Sequence, residues 1–254
     1  MDKRPIGMFD SGCGGLTVLK QYTKLMPNED FIYYGDTAHL PYGDKSPQKI
    51  IEYCEEIVKF LIIKNVKMIV IACGTASATA YEYLKEKYDI EIRNIIVPTA
   101  EAIKDANVGV IATQATIRSN AWSKAIHTFS PDTKITSVAC PLFVPIIENG
   151  LIENEGTPYF IQEYIKKLSI ENSNISSIIL GCTHYPLLKE KIQKEVGNEI
   201  NLIDIGEYSA QNTLTFLKEN SMENEPFNSG KIELYSSDDF EAFKENAIKM
   251  GLEI

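Results

Sequence analysis

A chain of 254 residues is long enough to bury a sizeable core, either as one large α/β domain or as two smaller ones. Its 25 Lys and Arg against 35 Asp and Glu leave a net charge of −10 with no basic block to follow phosphates, which disfavours direct nucleic-acid binding. No apolar run reaches the roughly 18 residues of a membrane span, MDKRPIGMF lacks the apolar stretch of a signal peptide, and five cysteines without CxxC spacing point to reduced thiols in a cytosolic protein.

Residues 4–9 predict a first strand, which ends in Asp10-Ser11-Gly12-Cys13-Gly14-Gly15 before a helix over LTVLKQYTKLM. The glycines let backbone approach a ligand, although the stretch is neither a Walker loop nor GxGxxG. Residues 31–34 predict a second strand, leading into GDTAHLPYG, a loop too long and too specific for a simple turn. Residues 48–64 have helical spacing, with Cys54 on the packing face.

The run MIVIA at 68–72 shows no polar alternation and reads as a strand buried on both faces. It stops at Cys73 and gives way to a helix over 77–88, so a thiol stands at a helix N-terminus, where unpaired N–H groups and the helix dipole favour a thiolate. Residues 94–98 predict a strand closing the first half. The pattern restarts with a strand at 108–113 carrying Thr113 and Thr116 at its end, a helix over 117–129 and a strand at 135–139. Glu148 then stands as a lone carboxylate at the end of an apolar run, before an amphipathic helix over 159–168 and a polar loop at 171–174.

Residues 177–181 lead into Cys182, Thr183 and His184 and then LLKEKIQKEV, repeating the strand–cysteine–helix unit 109 positions after Cys73. A strand at 200–205, a helix over 209–219 and an acidic linker at 221–228 follow. The tail, KIELYSS plus a helix over 240–250, is expected to pack back onto the first half.

Strands alternating with helices predict parallel sheets, whose ligand crevice lies beyond the carboxyl ends of the strands. Asp10, Cys73, Thr113 and Cys182 all stand at such ends. If the two halves face one another, a substrate between them has a thiol on each side: one removes a proton as thiolate, the other returns one as thiol, and a stereocentre inverts. Asp10 is placed to assist Cys73, and His184, held by Glu148, to assist Cys182. Groups around Ser11, Tyr42, Gly43, Gly74, Thr75 and Thr183 offer donors to carboxylates. Cys13 and Cys140 read as packing residues, and His39 and His127 as solvent-facing.

These residues resemble the glutamate racemases. FDSGCGGLTVL is similar to the family's FDSGxGGLTVL, YYGDTAHLPYG to its Y-F-G-D-T-A-x-x-P-Y-G, and LGCTHYPLL matches its second-cysteine motif; GVIATQATIRS and ACPLFVPIIENG resemble further family segments. The resemblance implies an α/β fold of two related lobes, each a mainly parallel sheet flanked by helices, with the site in the cleft between them. Residues 1–97 with 207–254 would form the first lobe and 98–206 the second.

It also implies a cofactor-independent isomerase that makes D-glutamate for bacterial peptidoglycan, with Cys73 and Cys182 as the catalytic pair. Asp10, Glu148 and His184 would support them, and Asp10, Ser11, Tyr42, Gly43, Gly74, Thr75, Thr183 and His184 would contact substrate. No cofactor or metal is expected. The expected partner is glutamate, with neither nucleic acid nor membrane involved and a homodimer as the assembly to test.

One departure lies beside the first cysteine, where the family's A-C-N-T-A-S-A is ACGTASA at 72–78. An amide that would bond the substrate carboxylate is missing at Gly74, worth about tenfold to a hundredfold in efficiency. Gly74→Asn is therefore expected to raise kcat/KM. The other readings are a racemase for a related amino acid such as aspartate, and a non-catalytic binding homologue.

Overall fold

Nine short strands form two all-parallel sheets in the computed structural model, which describes residues 1–254. The chain begins β1 (Ile6–Asp10), α1 (Leu16–Leu25), β2 (Phe31–Gly35), α2 (Pro47–Ile63), β3 (Met68–Ile71), α3 (Gly74–Thr79), α4 (Tyr81–Lys87) and β4 (Ile92–Asn94). Helix α5 (Ile96–Ala102) crosses to β5 (Asn107–Ala112), α6 (Gln114–Ser119), α7 (Ala121–Phe129), β6 (Lys134–Ala139), α8 (Phe143–Glu148) and α9 (Thr157–Glu171). After β7 (Ser177–Leu180), α10 (Lys189–Val196) and β8 (Asn201–Asp204), helix α11 (Ile205–Glu219) returns to β9 (Ile232–Ser236) and α12 (Phe240–Lys249).

The first sheet runs β4-β3-β1-β2-β9 and the second β6-β5-β7-β8. Strands β1, β3 and β7 are buried along their whole length, as predominantly apolar runs in parallel sheets covered on both faces are. The tail packs onto the first half as expected: β9 pairs in parallel with β2, and Phe243 of α12 stacks on Tyr33. The largest apolar cluster runs through both lobes, joining Met8 and Val70 to Val110 and Ile179 by way of Ile96, Ala100, Ala210 and Leu217. No helix is long and apolar enough to cross a membrane.

Behind the tail lies a buried ion pair. Lys67 Nζ donates to Glu29 at 2.5 Å and to the carbonyls of Asp2 and Met222 at 3.0 and 2.8 Å. The other Glu29 oxygen accepts from the Asn224 N–H at 2.7 Å, so one charge pair fastens the 221–228 segment to the start of β3.

The structure corrects four local expectations. Residues 94–98 are not a strand: β4 ends at Asn94, whose side-chain oxygen accepts from the N–H groups of Ile96 and Val97 and so opens α5. Pro98 falls in the first turn of that helix, where it costs no hydrogen bond. The helix expected over 117–129 is broken at Asn120, which takes the left-handed conformation (φ 57°) that asparagine tolerates. Helix α9 runs on to Glu171, because the Ile170 of its last turn faces solvent, out of step with the buried Ile161, Ile165 and Leu168. Cys182 is followed by a 3₁₀ turn (Tyr185–Leu188) before α10, so the two cysteine units are not alike in their helices.

Candidate active site

The carboxyl ends of both sheets meet, and the residues singled out in the sequence gather there. Asp10 closes β1 and Ser11 follows it; Tyr42 and Gly43 lie in a 3₁₀ turn (Tyr42–Asp44) after β2; Cys73 caps α3, whose first turn holds Gly74 and Thr75. From the second sheet come Cys182, Thr183 and His184 after β7, and Glu148 at the end of α8. Cys73 and Cys182, though 109 positions apart, line one cavity with Ser11, Tyr42, Thr75 and His184. Asp10 lies beneath that lining and Glu148 behind His184. The cavity's volume of about 20 Å³ has room for about one water molecule and none for an amino acid.

The Gly181–His184 turn of the second lobe is seated between two loops of the first. The Thr183 hydroxyl donates to Asp10 at 3.2 Å, and the Thr17 hydroxyl of α1 donates to the Thr183 carbonyl at 2.8 Å. Thr75 and Thr113 bridge the lobes through their hydroxyls at 2.9 Å, and Thr113 reaches Thr116 at 3.0 Å. A Cβ on Gly14 would lie 2.3 Å from His184 Nδ1, so that loop meets the turn only because residue 14 is glycine.

The two sulfurs have different electrostatic surroundings. Cys73 Sγ accepts from the Ala76 N–H at 3.4 Å and lies 3.6 Å from Ser11 Oγ. Burial nevertheless pushes the Cys73 thiol up, and the charge on Asp10 adds to the rise. This corrects the expectation of an easily formed thiolate: α3 is only six residues long, too short to offset desolvation by the opposite lobe. Burial also raises Asp10, against the opposing charge of His184 and the N–H groups of Gly12 and Gly15.

Beside Cys182 stands a histidine. His184 Nδ1 lies 3.8 Å from the sulfur, and its Nε2 is hydrogen-bonded to the Glu148 carboxylate. Burial alone would lower this histidine, but the hydrogen bonds to Cys182 and Glu148 outweigh it and bring the value up to about 10. An imidazolium at neutral pH thus faces Cys182, while a carboxyl group neighbours Cys73. Glu148→Gln removes the charge that supports the imidazolium and is expected to lower the His184 value by about 1 to 3 units. With three histidines in the chain, an NMR titration of the imidazole resonances reads this directly, and an unmoved His184 titration would refute the coupling.

Other features went unread in the sequence. Leu40, Pro41 and Val144 also line the cavity, apolar residues that no motif of acid–base chemistry marks. His39 faces solvent only in part: its side chain is 37% exposed, its Nδ1 lies 2.9 Å from Asp36 and its ring stacks on Tyr53 at 3.8 Å. Asp36 accepts from the Tyr42 hydroxyl at 2.6 Å as well, which braces the loop carrying Tyr42 and Gly43.

A family model described as Asp/Glu/Hydantoin racemase matches residues 12–213. Among curated relatives, a glutamate racemase of Geobacter metallireducens is 44% identical over 215 residues, covering 83% of this chain and 79% of that one. One of Lactococcus lactis subsp. lactis is 41% identical over 256 residues, covering 98% and 92%. The crystal structure of glutamate racemase from Francisella tularensis subsp. tularensis in complex with D-glutamate superposes with a TM-score of 0.90 at 38% identity, over 98% of this chain and 94% of that one.

Proposed function

The chain belongs to the Asp/Glu/Hydantoin racemase family, and from that membership we propose that it interconverts L- and D-glutamate without a cofactor, passing protons between substrate and the Cys73–Cys182 pair. The observation that carries this reading is the pair itself: two thiols, one from each sheet, line one cavity with charge neighbours of opposite sign. Cys73, raised by burial and Asp10, starts as the acid, and the base role falls to Cys182 beside the His184 imidazolium. The base takes the α-proton into a new S–H bond and leaves the electron pair on the α-carbon, which takes the proton of the opposite thiol. Each sulfur exchanges its role, and the reverse reaction begins from the swapped state.

Ser11, Gly43, Thr75 and Thr183, with the N–H groups of the two strand-end loops, hold the substrate carboxylates, and Asp10, Glu148 and His184 tune the sulfurs. The lobes move as residues 1–97 with 207–254 against 98–206. D-Glutamate supply for peptidoglycan in the cytoplasm is the setting this activity fits, with a homodimer as the assembly to test.

Exchange of the α-proton in deuterated water, followed by NMR with L-glutamate, D-glutamate and L-aspartate, tests the reading. Glutamate is expected to exchange and invert with no added cofactor. Exchange of aspartate alone would move the activity to the smaller diacid, and no exchange with any of the three would overturn the assignment.

A further inference from the structure

Gly74, the departure beside Cys73, is in contact with the opposite lobe. A Cβ built on it would lie 2.6 Å from the Gly181 carbonyl oxygen and 3.8 Å from Cys182 Cα. Real Cβ atoms essentially never come that close, and the obstacle is backbone, which cannot swing aside as a side chain does. Nor can Gly181 retreat into its own lobe. Its N–H donates to the Ile111 carbonyl at 2.8 Å, and a Cβ on Gly181 would itself meet Ile111 O and Trp122 Nε1 at 2.9 Å. The β5 backbone and the buried Trp122 indole therefore hold the Gly181 backbone in place within its own lobe, and a side chain at position 74 is accommodated by moving the lobes apart. Reaching an ordinary contact of 3.4 Å needs a retreat of about 0.8 Å at this point.

We propose that Gly74 sets the depth of lobe closure: lacking a Cβ, it lets the lobes settle into a collapsed state that excludes substrate, and the apparent affinity for glutamate is reduced by the population of that state. The inference rests on the racemase reading for its substrate. The energetic logic is that of a competing conformation. A ligand that binds only the parted form is weakened by the fraction of molecules in the other form, so destabilising the collapse tightens binding with no new contact to the ligand. The contacts that favour collapse are on the same faces: Thr17 to the Thr183 carbonyl, Thr183 to Asp10, and Thr75 to Thr113. The sequence alone ascribed a gain in Gly74→Asn to its amide. On the closure account the Cβ supplies part of that expected gain, and alanine, which has the Cβ without the amide, separates the two.

The test reads closure and turnover independently. Cys73 and Cys182 are 4% and 6% exposed, and their alkylation by iodoacetamide, followed by mass spectrometry, reports parting of the lobes; the buried Cys54 and Cys140 serve as internal references for global unfolding. Gly74→Ala is expected to speed alkylation of both cleft thiols by roughly tenfold and to lower KM for glutamate by up to about tenfold, with the references unchanged. Thr17→Val, which removes one closing hydrogen bond outside the substrate contacts, is expected to act in the same direction. Unchanged alkylation in Gly74→Ala, or a KM that rises, would overturn the proposal; so would faster alkylation in Thr17→Val alone, which would place the control of closure elsewhere. If Gly74→Ala alkylates faster while the wild type fails to racemise glutamate, the racemase reading falls and the closure role stands.

Discussion

Alanine in place of Cys73 or of Cys182 lowers glutamate racemisation by about 10²- to 10⁴-fold, the usual worth of one positioned acid or base. The two variants are not expected to be equivalent. A remaining sulfur can still take a proton from its own side of the α-carbon and return a solvent-derived one to the same side. Each variant should therefore retain some α-deuterium incorporation with one enantiomer and none with the other, and the favoured enantiomer should be opposite in the two. That crossed pattern follows from the placement of the thiols on separate sheets, one after β3 and one after β7. Equal residual exchange of both enantiomers in either variant would show that both protons pass through one group.

Removing the Lys67 ammonium has the largest expected effect on stability. Lys67→Ala leaves the Glu29 carboxylate buried with only the Asn224 N–H for company, and the loss of one partner of a buried pair costs about 3–5 kcal/mol. Replacing both partners by apolar residues of similar size, Lys67→Met with Glu29→Leu, is expected to recover most of that loss, because neither charge then remains uncompensated. Urea unfolding of the two variants beside the wild type decides the matter. A single variant within about 1 kcal/mol of wild type would mean that water reaches this pair.

Much of this architecture is legible in the residues, for a physical reason. Strands such as MIVI, and SIIL after its buried Ser177, are apolar because helices cover both faces, and the turn residues on either side leave them too short for a buried helix of ordinary length. Once the sheets are parallel, Asp10, Cys73, Thr113 and Cys182 must stand at the same end of them, and the shared site follows. The segment at 94–98 misleads because IIVP is apolar enough for a strand or a buried helix alike, and what decides is the Asn94 side-chain oxygen accepting from the N–H groups of Ile96 and Val97.

The charge state of Cys73 was hidden more deeply. The local signal, a helix N-terminus, favours the thiolate, and the opposing cause is desolvation in a cavity that the fold closes with residues as distant as Thr113, Val144 and Thr183. The Gly74–Gly181 contact belongs to the same category: a glycine reads locally as a missing amide, and only the folded chain shows the carbonyl that it admits.

The pairing of β9 with β2 has a consequence for how the protein is made. As the chain leaves the ribosome, β1, β3 and β4 can assemble beside β2, but the outer edge of β2 has no partner until residues 232–236 emerge. By then the whole second sheet has been synthesised. Throughout that interval Phe31–Gly35 presents a row of unpaired N–H and C=O groups along an apolar strand, the template on which nascent chains join one another. A chain cut short anywhere between the second sheet and Ile232 carries that open edge permanently.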